Sequence, residues 1–181
     1  MVTPPTNIRS LPTGTLTNQE LIEDALDLGC LNAKVIQIRN ITLGSWVKLK
    51  CQFGCAYYGK RFTCPTATPT SDEMAEILMD YEKAIVVEMK NSSEVHDAVL
   101  NLENRYKQKG FYKAFALDAL PCNLCEECTI DTQCHYPEKA RPTLQACGID
   151  VPQTMSNIGW GFDAAFEGCT DEHSVGMILI G

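Results

Sequence analysis

The sequence predicts an α/β or α+β fold: a small mixed sheet with flanking helices and two cysteine-rich, metal-binding loops. Three observations carry that expectation. Apolar residues recur with helical period in some stretches and with strand period, or in continuous runs, in others. Most of the ten cysteines fall into two groups, in a chain whose start, MVTPPTNIRS, has no apolar signal core. Grouped thiols in that setting read as metal ligands rather than disulfides. The 181 residues, 45% of them hydrophobic, suffice for one sizeable core.

Residues 1–16, rich in Pro, Thr and Gly, read as an irregular arm, and residues 17–181 as a single iron–sulfur-binding domain. Thr17 and Glu20 have the spacing of a capping box, Leu21, Ile22, Ala25 and Leu26 give the helix that follows an apolar face, and Gly29 stops it. A strand is expected from about Val35 to Ile41, where Ile36 and Ile38 alternate with Gln37 and Arg39. After a turn at Gly44, Val47, Leu49 and Cys51 alternate with Lys48 and Lys50, which predicts a second strand with the Cys51 thiol on its core side. Thr70 and Glu73 form another capping box, followed by the stripe Met74, Ile77, Leu78 and Tyr81. Residues 84–89 (AIVVEM) are almost continuously apolar and read as a central strand. A helix from about Ser93 to Lys109 buries Val95, Val99, Leu102 and Tyr106 and ends at Gly110, and a strand follows from Phe111 to Leu117. This strand–helix–strand unit predicts a right-handed crossover and parallel pairing. A short helix near Thr154 to Ile158, a segment from Gly159 to Gly168 and a last strand, VGMILIG, complete the chain.

The most informative stretch is CNLCEECTIDTQC. Cys122, Cys125 and Cys128 sit at two-residue spacing and Cys134 follows five residues later. Such a loop aims several thiolates at one centre, as an iron–sulfur cluster requires, whereas a zinc site usually draws on two separated Cys-x-x-Cys knuckles. Cys134 either closes this cluster, the favoured wiring, or crosses to a second one. The second group is CQFGCAYYGKRFTCP, with Cys51, Cys55 and Cys64. Its fourth ligand is sought among Cys147, Cys30 and Cys169. Cys147 ranks first, because Gly148 beside it permits close backbone approach. An open fourth place would instead make a substrate-binding, Lewis-acid or regulatory site.

Other residues carry weaker signals. His96 and His173 read as solvated side chains, and His135, next to Cys134, as a hydrogen-bond donor near the metal or a surface residue. Glu126 and Glu127 would lower a reduction potential or merely be solvated, and Tyr57 and Tyr58 would cover the first site. Lys139 and Arg141 are expected either at the surface or against cluster sulfurs or a partner's acids.

With both motifs on the page, a resemblance emerges. The segment from Cys51 to Pro65 and the later PCNLCEECTIDTQCHYPEKARPTLQACGIDV together resemble an uncharacterised prokaryotic family described as predicted metal-binding proteins. The likeness covers roughly residues 30 to 160. It rests on Cys51, Gly54, Cys55, Tyr58, Gly59, Cys64 and Pro65 in the first half. In the second half it rests on Pro121, Cys122, Cys125, Cys128, Cys134, Pro137, Arg141, Pro142 and the run Ala146 to Val151. Thr66, Leu120, His135 and Gln145 depart from the family pattern, and none of them removes a thiol. The resemblance implies metal binding and supports Cys147 as a motif cysteine; it implies no reaction.

These readings converge on a cytoplasmic protein carrying two iron–sulfur clusters, most simply 4Fe–4S, as in an oxygen-poor cell. Cys122, Cys125, Cys128 and Cys134 would hold one, and Cys51, Cys55, Cys64 and Cys147 the other. Its role would be electron transfer to a partner redox enzyme or electron-transfer protein, or activation and maturation of one, rather than catalysis. A net charge of −8 argues against nucleic acid, and no apolar run is long enough for a membrane span. The alternatives are a zinc-stabilised interaction module, an enzyme with an open iron, and a cluster-donating chaperone.

Overall fold

The computed structural model describes residues 16–161 and 174–181. The expected N-terminal arm, Leu16 apart, lies outside the described residues, as do Cys169, His173 and the segment between Phe162 and His173.

Both capping boxes form. At the start of α1 (Asn18–Asp27), the Thr17 amide donates to the Glu20 carboxylate at 2.8 Å and the Glu20 amide donates to Thr17 Oγ1 at 3.2 Å. Thr70 and Glu73 repeat the pattern at α3 (Ser71–Leu78). Each box satisfies amides that the first helical turn leaves free. Of the apolar face expected on α1, Leu21 and Ala25 are buried, while Leu26 is largely exposed.

Strand β1 (Asn32–Gln37) begins earlier and ends sooner than expected, because Ile38–Asn40 wind into a 3-10 turn. The strand expected around Val47–Cys51 is instead a helix, α2 (Val47–Gly54). The alternation that suggested a strand holds one i, i+4 pair, Val47 and Cys51, with Leu49 turned away from it. Val47 and Cys51 lie on one side of the helix, with Val47 buried, and Leu49 and Phe53 lie on the other at 54% and 81% exposure. Five alternating residues cannot separate these periods when both faces carry apolar groups.

Strand β2 (Lys83–Met89), helix α4 (Ser92–Gln108) and the short strand β3 (Phe115–Leu117) follow, then α5 (Val151–Asn157) and β4 (Ser174–Ile180). The sheet order is β1-β2-β4-β3, and every neighbouring pair is antiparallel. The fold is therefore α+β. β2 and β3 do run the same way, but they do not pair, because β4 lies between them. A continuous apolar run signals a strand covered on both faces; it does not report the direction of its neighbours.

The two faces build two cores. Ile85, Val87, Ile178 and Ile180 pack with Leu21, Val95, Val99, Leu102 and Tyr106 under α1 and α4. Val86, Met177 and Leu179 pack on the opposite side with Met74, Leu144, Ile149 and Met155. α4 lies so close to β4 that a Cβ at Gly176 would come within 2.4 Å of Val99 Cγ1. Among the described residues, no helix is long and apolar enough to cross a membrane.

One ion pair ties the helix layer to the chain beyond β3. The buried Glu103 of α4 accepts from Arg141 Nε at 2.7 Å and Nη2 at 2.6 Å, from Lys107, and from the Ala116 amide of β3 at 2.7 Å. Burial pushes its carboxyl up, but these hydrogen bonds outweigh it and leave the pKa below the ordinary carboxylate value. Arg141 also donates to the carbonyls of Pro137 and Ala140 and lies over the Phe115 ring. Arg141 is thus a buried structural clamp, which corrects the reading of it as a surface or metal-facing cation: its donors are taken by Glu103 and the backbone. Arg141→Met should lower unfolding free energy by about 3 kcal/mol, because it takes the guanidinium from buried Glu103 and leaves that carboxylate only Lys107 and the Ala116 amide. Urea unfolding should also show Arg141→Met with Glu103→Gln costing clearly less than the sum of the two single changes. Additive losses would mean the pair does not act as a unit.

Candidate metal centre

The first thiol group is organised by α2. Cys51 and Cys55 are one helical turn apart, and the Cys55 amide caps the helix by donating to the Cys51 carbonyl at 3.2 Å. Residues 56–65 then double back: Lys60 N donates to the Tyr57 carbonyl, and Gly59 N donates to the Pro65 carbonyl at 2.7 Å. Gly59 sits at φ +68, a conformation glycine adopts without penalty. The reversal brings Cys64 beside Cys51 and Cys55, and all three line one cavity of about 470 Å³. Burial raises the Cys64 thiol pKa to about 11; the Thr63 hydroxyl pulls the other way, and the neighbouring Cys55 and Cys51 add to the rise.

The second group sits in the stretch between β3 and the 3-10 turn Gln145–Cys147. Its base is tied by Asp118 N to the Pro142 carbonyl at 2.8 Å and Leu144 N to the Asp118 carbonyl at 3.1 Å. Within it, Thr129 Oγ1 donates to the Gln133 carbonyl at 2.6 Å and Ala140 N to the Tyr136 carbonyl at 2.8 Å. Cys122, Cys125, Cys128 and Cys134 all line one recess, whose volume is only about 10 Å³. Burial pushes the Cys122 thiol up; Arg61 opposes this, and the Cys134 and Cys125 thiols reinforce it.

The two groups share a wall. The Cys122 amide donates to Thr63 Oγ1 at 3.4 Å, next in sequence to Cys64, and Arg61 Nη1 reaches the Cys125 carbonyl at 3.5 Å. Leu120, Pro121 and Asn123, from the second loop, line the cavity of the first group. Arg61 also covers the Tyr57 ring at 4.5 Å. Arg61 and Thr63 were not singled out from the sequence; their position immediately before Cys64 was the available signal. Among the described residues, no set of three or more Cys, His, Asp or Glu side chains converges closely enough to hold a metal ion. The seven thiols stand around two adjoining hollows.

The remaining candidates are dispersed. Cys147 is 1% exposed in the core with Leu144 and Met155, does not line the cavity, and has its thiol raised to about 12 by burial. Cys30 is buried in the α1–α4 core, on the other side of the sheet. Glu126, Glu127 and Lys139 are exposed. His135 lines the small recess, and Tyr57 and Tyr58 line the large cavity. His96, expected to be solvated, is half-buried with Nδ1 2.6 Å from Asp118 Oδ2. The period of α4 turns it toward the strand end that opens the cysteine loop.

Residues 34–180 match a protein family described as "Predicted metal-binding protein (DUF2284)". Comparison with curated proteins and with solved structures finds no match.

Two expectations follow from the placements. Cys147→Ser puts a hydroxyl into an apolar core and should cost about 1–3 kcal/mol in urea unfolding, while bound metal per chain stays unchanged. Metal lost in proportion would instead mark Cys147 as a ligand. The hydrogen bond to Asp118 raises the His96 pKa above its ordinary 6.5; burial and Arg141 oppose this, and the Asp118 and Asp97 charges add to it. The stability this contributes is complete below pH 6.5 and is lost as pH rises through the folded value. The wild-type advantage over His96→Gln in urea midpoint should therefore shrink on that rise, and a constant difference would refute the linkage.

Proposed function

Because the chain belongs to the family of predicted metal-binding proteins, DUF2284, we propose that it is an iron–sulfur protein that passes electrons to, or helps activate and mature, a partner redox enzyme. The observation that carries this reading is the sorting of seven cysteines onto two adjoining hollows, three on one and four on the other. Soft thiolate donors in sets of three and four suit iron–sulfur clusters, with zinc the other soft-ligand choice. Cys122, Cys125, Cys128 and Cys134 would hold one group, and Cys51, Cys55 and Cys64 the other. Such groups, when bound, supply one-electron chemistry.

The chain's own residues would tune that chemistry. Arg61 places a cation near Cys64 and Cys122, where it favours their thiolate forms. The Thr63 hydroxyl hydrogen-bonds the Cys64 side and takes the Cys122 amide, which holds the two loops in register. The Arg141 clamp and the backbone bonds at Asp118 hold the ends of the second loop. The aromatic and apolar wall of the larger cavity would lower the polarity around the first group.

One observation favours a second reading. Cys122, Cys125, Cys128 and Cys134 border a recess of only about 10 Å³, and drawing four thiolates onto a single zinc ion would ask the loop to move less than enclosing a cluster would. Anaerobic purification with iron, sulfide and zinc analysis separates the two. Roughly eight iron and eight sulfide per chain, with a reduced-state EPR signal, is expected. Cys55→Ser and Cys125→Ser should each remove about half. A colourless protein with stoichiometric zinc and no acid-labile sulfide would sink the electron-transfer reading.

A further inference from the structure

Helix α2 buries Val47 on one side and leaves a second face in solvent. Trp46, Leu49, Lys50 and Phe53 recur at i, i+3, i+4 and i+7, the spacing of one helical stripe. Trp46, at the N-cap, already has helical backbone angles and so belongs to that stripe. The three apolar members are 47%, 54% and 81% exposed. Single exposed apolar residues are ordinary; three of them on one stripe form a patch. The patch runs into the candidate metal centre. Trp46 also lines the cavity of Cys51, Cys55 and Cys64, as does the exposed Tyr57. A protein seated on the stripe would lie about one helix width, roughly 10 Å, from the Cys51 thiol.

The charge around the stripe has one sign. Residues 46–65 carry Lys48, Lys50, Lys60 and Arg61 and no Asp or Glu, in a chain of net charge −8. The three lysines are exposed. Glu73, which feels the Lys48 charge, and Asp150, on the cavity wall, border this region, and both are engaged in helix caps. Arg61 reaches the Cys125 carbonyl, and the exposed Glu126 and Glu127 that follow bound the basic region on that side. An acidic protein is therefore repelled by the chain as a whole and drawn to α2.

We propose that the exposed stripe of α2 is the docking surface for a small acidic electron-carrier protein, whose apolar patch takes Trp46, Leu49 and Phe53 and whose carboxylates meet Lys48, Lys50 and Lys60. That the docked protein carries electrons rests on the function proposed above; that the stripe takes an acidic protein surface does not. A stripe of this spacing seats in an apolar groove, with aromatic anchors supplying most of the affinity and the lysine rim supplying rate and selectivity. A second copy of this chain fits less well, because its acidic side would meet the stripe head to tail, a contact that propagates unless it closes into a ring. An anionic bilayer would gain only three anchors from a helix of eight residues.

Ferredoxin and flavodoxin, an acidic iron–sulfur carrier and an acidic flavin carrier, are the probes. Each is titrated calorimetrically, without oxygen, into the full-length protein as purified and after loading with iron and sulfide. Saturable binding that weakens about tenfold or more between about 50 mM and about 500 mM salt is expected. Leu49→Ser and Phe53→Ser should each weaken it about tenfold. Lys48→Glu with Lys60→Glu should weaken it several-fold at the lower salt and little at the higher. Met79→Ser, at an exposed apolar position beside α3, should leave binding unchanged. All these side chains are exposed, so urea midpoints and metal content should match wild type. No saturable binding of either probe, or an equal loss in Met79→Ser, overturns the proposal. Phe53-dependent dimerisation or binding to phosphatidylserine vesicles, in place of carrier binding, overturns it in favour of a second copy or a bilayer. Colourless, zinc-loaded protein would overturn the electron-transfer reading, and the docking would still be judged by the Phe53 and lysine variants.

Discussion

Glu103 and Arg141 meet inside the protein, where separating either from its partner would strand a charge away from water. Burying both is costly, and the arrangement holds because nearly every polar atom is used. The carboxylate takes both Arg141 donors, Lys107 and the Ala116 amide; the guanidinium also takes the Pro137 and Ala140 carbonyls. This single junction joins helix α4, strand β3 and the far end of the cysteine loop. β3 has only three residues, and without this junction its amide and the loop behind it would have to find their positions separately.

From that junction outward, the sheet divides the labour. One face carries α1 and α4 and a core whose cysteine, Cys30, behaves as a small apolar filler. The other face buries Cys147 in its core, and Ile149 and Val151 of that core also line the cavity of Cys51, Cys55 and Cys64. The division has a physical basis. A thiol sealed in apolar surroundings resists ionisation, whereas a metal ligand must lose its proton. Cys64 lies between these extremes: it is nearly inaccessible, yet it borders a cavity, a cation and two further thiols.

Much of the fold was legible because it is written locally. The capping boxes at Thr17 and Thr70, the stripe of α4 and the apolar run of β2 each follow from near neighbours in the chain. What was not legible depends on partners far away. The antiparallel pairing of β2 comes from residues about ninety positions later, and nothing in AIVVEM encodes it. α2 read as a strand because Leu49, exposed between Val47 and Cys51, imitates alternation. The gathering of thiols into two groups was visible from spacing. The shared wall was not, since Arg61 and Thr63 acquire their role only when the second loop arrives against them. His96 and Arg141 read as solvated or surface groups because a single sequence does not show that Asp118 and Glu103 are waiting, buried, opposite them.

The position of β4 bears on how the protein is made. It is the strand that completes both β2 and β3, and it begins about 40 residues after Cys134. At about 5–20 residues per second, the nascent chain therefore holds all seven grouped thiols for roughly two to eight seconds before the sheet behind them can close. During that interval β3 lacks its only strand partner among the described residues, and the far edge of β2 is open. Oxidants and stray metal ions then meet the cysteines on an unfinished scaffold, so the timing of translation is itself a constraint on correct loading.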